Sequence, residues 1–148
     1  MKKTTLKLML TLTCVAALTA VALAAVSTPL MTAKIPFTFH VGNKAFPAGT
    51  YTVSRTNSPG IVILRNEQQP HQNAGTITNA NSSRTENKNA TLQFRRYGDQ
   101  YFLASVMPQG ATTNLELQKS RSERAAADGA KNLAGRTVQP EIISIVGQ

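Results

Sequence analysis

Residues 91–106 read TLQFRRYGDQYFLASV, two runs of apolar and aromatic residues set about Gly98-Asp99. A two-residue connection with Gly first suits a type II′ turn, whose twist matches that of paired strands. The spacing predicts a hairpin over Thr91–Val106, with Phe94 opposite Leu103 and Arg95 opposite Phe102. In that register apolar side chains fall on both faces. A sheet wet on one side shows them on alternate positions only. Both faces are therefore expected to be covered, as in a sandwich or a partly open barrel.

Towards the N-terminus, KIPFTFHV (Lys34–Val41) alternates Ile35, Phe37, Phe39 and Val41 with polar residues and Pro36. Period two predicts a half-buried strand, and Pro36 places it at a sheet edge or makes it a strand start. Gly42-Asn43-Lys44 and Phe46-Pro47-Ala48-Gly49 read as bends. Thr50–Arg55 and Ile61–Leu64 are two further strands, divided by the turn signal Asn57-Ser58-Pro59-Gly60. Ala74–Thr78 reads as a short strand and Asn79–Asn89, polar almost throughout, as a mobile loop. Its two glycosylation-like triplets, Asn81-Ser82-Ser83 and Asn89-Ala90-Thr91, are short and common.

Beyond the hairpin, Thr113–Leu117 reads as a short strand. Ser120-Arg121-Ser122-Glu123 has the form of a capping box, Ser capping and Glu answering three residues on. A helix of nine or ten residues is expected to follow and to end at Gly129. Ile142, Ile143, Ile145 and Val146 follow Pro140 in a final strand. The expected fold is all-β: one small domain of about seven strands, sandwich or partly open barrel, with one short helix near the C-terminus. No internal repeat is visible.

The first 25 residues have the pattern of a helical, cleavable signal peptide. Lys2, Lys3 and Lys7 make a positive start, Leu8–Val21 is apolar, and Ala22-Leu23-Ala24 supplies small residues for cleavage. Residues 26–33 read as a linker and 34–148 as the β domain. A transmembrane anchor is the competing reading of the apolar run. The Ala and Thr content, the A-x-A spacing and Ser27-Thr28-Pro29 favour cleavage. The protein is then exported across the inner membrane, to the periplasm or the exterior, and meets the membrane only through its leader. The single cysteine, Cys14, leaves with that leader, which removes disulfides and thiolate chemistry from the mature chain. The formal charge of +9 falls by three to +6. Its cations bunch only at Lys119, Arg121, Arg124, Lys131 and Arg136. A basic exported surface suits an anionic envelope polymer or lipid headgroups, although simple solubility is the favoured explanation.

The parts of a catalytic centre are scarce. His40 and His71 stand alone, and seven acidic residues are spread singly over loops, turns and the helix. No G-x-S-x-G, Ser-x-x-Lys or Gly-rich phosphate cradle occurs. No cofactor or metal is expected. Arg95, Arg96, Tyr97 and Tyr101 form a basic-aromatic cluster at the hairpin tip. Such a cluster can bind anionic sugars or nucleic acid, and export argues against the latter. The plainer explanation is that Arg stems lie over Tyr rings and close the sheet end.

Three segments carry a likeness: PFTFHVGNKAFPAGTYTV (Pro36–Val53), RRYGDQYFLASV (Arg95–Val106) and ELQKSRSERAAA (Glu116–Ala127). Together they resemble a family of small, functionally uncharacterised exported bacterial proteins. That resemblance implies an exported β domain and carries no catalytic residue. Three expectations follow. The first is a non-catalytic interaction or structural module of the envelope or exterior, its partner an envelope protein or anionic polymer. The second is a carrier holding a small ligand in a barrel cavity. The third, an enzyme, requires two or more of His40, His71, Asp99 and Glu116 to converge in a cleft.

Overall fold

The computed structural model describes residues 27–134 and 139–148. The leader expected at residues 1–25 lies outside them. Ten strands and one helix occur among the described residues: β1 (Ser27–Ile35), β2 (Phe39–Val41), β3 (Lys44–Phe46), β4 (Gly49–Thr56), β5 (Ile61–Asn66), β6 (Asn73–Ser82), β7 (Thr91–Tyr97), β8 (Gln100–Met107), β9 (Thr113–Leu117), α1 (Arg121–Ala134) and β10 (Glu141–Val146). The protein is mostly β with a helix near its C-terminus, as its patterning implies. Among the described residues no helix is long and apolar enough to cross a membrane.

One open sheet runs β1-β4-β5-β6-β9-β8, and β7 continues it from the second edge of β8 to β10. Strand β6 joins the two halves. Its first part pairs with β5 from Asn73 to Ile77, and its second part pairs with β9 from Thr78 to Ser82. Thr78, at the changeover, donates from both its backbone N–H and its hydroxyl to Gly60 O. Strand β2 joins β8 in parallel at His40 and Phe102 and forms a small hairpin with β3.

The inner face is built of aromatic rings. Phe39 lies edge-on to Tyr51 at 5.1 Å and to Phe94 at 5.4 Å, and stacks on Phe46 at 5.8 Å. Phe37 adds an edge contact to Phe94 at 5.3 Å and a stack on Tyr101 at 4.0 Å. Phe39, Tyr51 and Phe94 are fully buried. Each such side chain contributes about 1.5–3 kcal/mol through burial alone.

Four expectations are corrected. The strand expected over Lys34–Val41 is two: β1 ends at Ile35, Pro36 interrupts the ladder, and β2 begins at Phe39. Proline supplies no N–H and restricts the residue before it. The linker expected over 26–33 is strand from Ser27 onward, because Met31 and Ala33 alternate into the core and pair with Val53 and Tyr51. The loop expected over Asn79–Asn89 begins as strand, through Ser82. Beyond it the segment is tied down, with Ser83 N–H on Thr112 O and the Asn87 amide donating to Pro108 O and Asn114 Oδ1. The helix passes through Gly129 to Ala134, with Gly129 in its interior.

Candidate functional site at the hairpin and helix junction

The hairpin forms in the expected register, Phe94 opposite Leu103 and Arg95 opposite Phe102. Gly98 has φ +58° and no described non-glycine residue has positive φ, the sign pattern of a II′ turn. One irregularity intervenes. Gln93 faces Ser105 while Phe94 faces Leu103, so Ala104 is an extra residue on β8. Such a bulge keeps both segments in register with the core while increasing the local twist.

The double coverage inferred from this hairpin has an unforeseen source. Leu92, Phe94, Leu103 and Val106 belong to the main core. Phe102, Ala104 and Tyr97 are equally buried but lie outside that cluster. Helix α1 packs on the outer face of β7, so a helix supplies the second cover and no second sheet is needed.

Ser120 caps α1, its Oγ accepting from Glu123 N–H at 3.1 Å. The reciprocal half of the capping box is not made. The Glu123 carboxylate, only 2% exposed, turns to the sheet and accepts from Arg95 Nε, from Arg95 Nη2 at 3.2 Å and from Tyr97 OH at 3.4 Å. Arg95 Nη2 also donates to Leu117 O at 3.3 Å, so one guanidinium joins β7, β9 and α1. Ser122 N–H donates to Asn43 Oδ1 and Ser122 Oγ to Gly42 O, which fastens the helix start to the β2–β3 turn. The His40 ring stacks on Phe102 at 4.8 Å, its Nδ1 enclosed and without a hydrogen-bond partner among the described residues.

The four residues of the expected basic-aromatic cluster divide between the two faces of the hairpin. Arg95 and Tyr97 meet Glu123 on the helix side. Arg96 pairs across the strands with Tyr101 and lies 5.5 Å over its ring, with Nη1 3.1 Å from Glu141 Oε2 and Nε donating to Gly98 O. Arg96 thus lies over a tyrosine ring and helps close the sheet end. Arg95 instead serves a buried carboxylate, a role its sequence neighbours do not reveal.

A groove of about 630 Å³ runs between the hairpin turn and the small face of α1, with Ala125, Ala126, Gly129 and Ala130 on one wall and Tyr97–Gln100 on the other. A second, of about 570 Å³, opens at the far end of the sheet between Arg55–Gly60 and Leu115. Both are open to solvent. His40, His71, Asp99 and Glu116 stand on β2, the β5–β6 turn, the β7–β8 turn and β9. No hydrogen bond links any two of them, and Glu116 accepts instead from Asn81 Nδ2 at 2.8 Å. Tyr51 is the one described group pushed clearly from its ordinary acidity. Burial raises it, against a smaller opposing contribution from the Asn66 side chain. Its hydroxyl donates to Pro47 O at 2.7 Å.

No protein-family model matches the chain, and neither a curated protein nor a solved structure is similar to it.

Proposed function

We propose that this chain is an exported, non-catalytic interaction or structural module of the bacterial envelope or exterior, of the same kind as the family its three segments resemble. The fold is read as a partly open barrel. One observation carries the reading: the space within the sheet is filled by Phe37, Phe39, Phe46, Tyr51, Phe94 and Tyr101, while Ile77, Ile142 and Val146 face solvent. Exposed apolar side chains that share a face can form a contact patch, and Ile142 and Val146 share one face of β10. A carrier would need a chamber where those rings stand. The polar groups of the hairpin are also committed, Arg95 to Glu123 and Arg96 to Glu141.

The test is fractionation of cells making the full chain, followed by crosslinking in place and gel filtration of gently extracted envelope and culture fluid. The expected result is a complex that contains another envelope component. Recovery solely as free single chains, or as an assembly of this chain alone, overturns the reading.

A further inference from the structure

Strand β6 changes partner at Thr78, and the groove of about 570 Å³ opens where it leaves β5. The bond from Thr78 N–H to Gly60 O ends the pairing with β5, while further on Ser83 N–H donates to Thr112 O on the β9 side. Successive residues of a strand direct their backbone groups to opposite sides. Asn79 and Asn81 therefore face β9, and Ala80 and Ser82 direct N–H and C=O to the side that β5 has vacated. Both are exposed, and no described residue bonds to those groups. Pro59 and its turn form the opposite wall of the groove, with Thr113 and the buried Leu115 beneath. Arg55 lines the same groove, level with Val62 near the start of β5. It is exposed and belongs to none of the ion pairs among the described residues.

We propose that this groove binds the free C-terminal end of an extended peptide chain, its backbone paired with Ala80 and its carboxylate on Arg55. Unbonded N–H and C=O groups along one side of a strand are answered by another extended backbone. The groove supplies the room for it, its volume within the range of ordinary ligand sites. A guanidinium matches a carboxylate through two parallel N–H···O bonds. Leu115 and Pro59 offer apolar surface to a small side chain. The direction follows from β5. A chain entering from the open end of the groove cannot pass the start of β5, which holds the same side of β6 below Gly60. It must therefore end there, beside Arg55. Running antiparallel to β6, as β5 does, brings a carboxylate to that end. Running parallel would bring an ammonium, which Arg55 repels. The inference rests on the interaction-module reading and names how the partner is held.

The test is an NMR titration of isotope-labelled protein, purified from cells expressing the full chain, with acetyl-Ala-Val-Ala-Val bearing a free carboxylate. Addition to about 10 mM is expected to shift the Ala80 amide and the Arg55 Nε–H resonances together. The amidated peptide, and Arg55→Gln with the free acid, should each bind at least about tenfold more weakly, because the charge-assisted bonds are lost. Arg55→Gln changes an exposed side chain and should leave the melting temperature unchanged. Ala80→Pro removes only an N–H that faces the groove and should weaken the peptide as much. Acetate alone should shift Arg55 and leave Ala80 in place. An Ala80 amide that stays still throughout, an equal response to the amidated peptide, or an equal Ala80 shift with acetate overturns the proposal. Crosslinking in the envelope separates it from the wider reading. No complex in the native chain overturns that reading, whereas a complex undiminished in Arg55→Gln overturns the groove alone.

Discussion

At the scale of single residues, Glu123 is the side chain with the most to lose. It is buried and accepts hydrogen bonds from two residues of β7, Arg95 and Tyr97. Removing one partner of a buried pair costs about 3–5 kcal/mol. Arg95 keeps 17% of its side-chain exposure and can recover some hydration, which brings the cost to the lower end of that range or just below it. Glu123→Ala is expected to lower stability by about 2–3 kcal/mol in urea unfolding. Arg95→Leu with Glu123→Leu should recover most of that loss, because no charge is left unpaired.

Tyr51 gives the molecule a pH dependence of definite sign. Burial raises its pKa in the folded chain above the ordinary 10.0. Below that value folded and unfolded chains both keep the proton, so its contribution to stability is constant. Above it the unfolded chain ionises first, and stability falls as pH rises towards the folded value. Urea midpoints measured from neutral pH to about pH 11 should decline more steeply for the native chain than for Tyr51→Phe. The variant also forgoes the bond to Pro47 O, at a cost of about 1 kcal/mol at neutral pH.

At the scale of elements, helix α1 shows how tertiary contact overrides local punctuation. Gly129 has the look of a helix stop, yet the helix continues five residues beyond it. A Cβ built at Gly129 meets nothing within 4 Å. Gly129→Ala is therefore expected to stabilise the protein by about 0.5–1 kcal/mol, seen as a higher melting temperature. The hairpin β7–β8 is the opposite case. Its register and turn were legible in the residues because Gly98-Asp99 sets the connection and period-two patterning sets the faces. The split between β1 and β2 was half legible. Pro36 announced an edge, but only the three-dimensional path shows the chain leaving β4 and reappearing beside β8.

At the scale of the whole molecule, the first strand lies beside the last, and Thr32 exchanges both backbone bonds with Gln148 just beyond it. Gly147 permits that approach. A Cβ there would lie 2.9 Å from Thr32 O, a backbone atom that cannot swing aside, and 3.3 Å from Met31 Cβ. Gly147→Ala is expected to cost about 1–3 kcal/mol. The Thr32 and Gln148 amides should exchange hydrogen faster, while the β7–β8 amides stay protected.

The amino-acid sequence alone determined the β class, the core hairpin and its register, the capped helix start and the outward polar faces. Each of these is written in neighbours within a turn or in a period of two, where local sterics and solvent contrast suffice. Only the tertiary structure decided that a helix covers the hairpin's outer face, that Glu123 leaves its capping box for Arg95, and that Arg95 and Arg96 part company. It also decided that the C-terminal residues meet β1, Gln148 on Thr32. Those outcomes depend on residues from 28 to 116 positions apart meeting in space, and no local pattern encodes which distant partner a carboxylate or a strand edge will find.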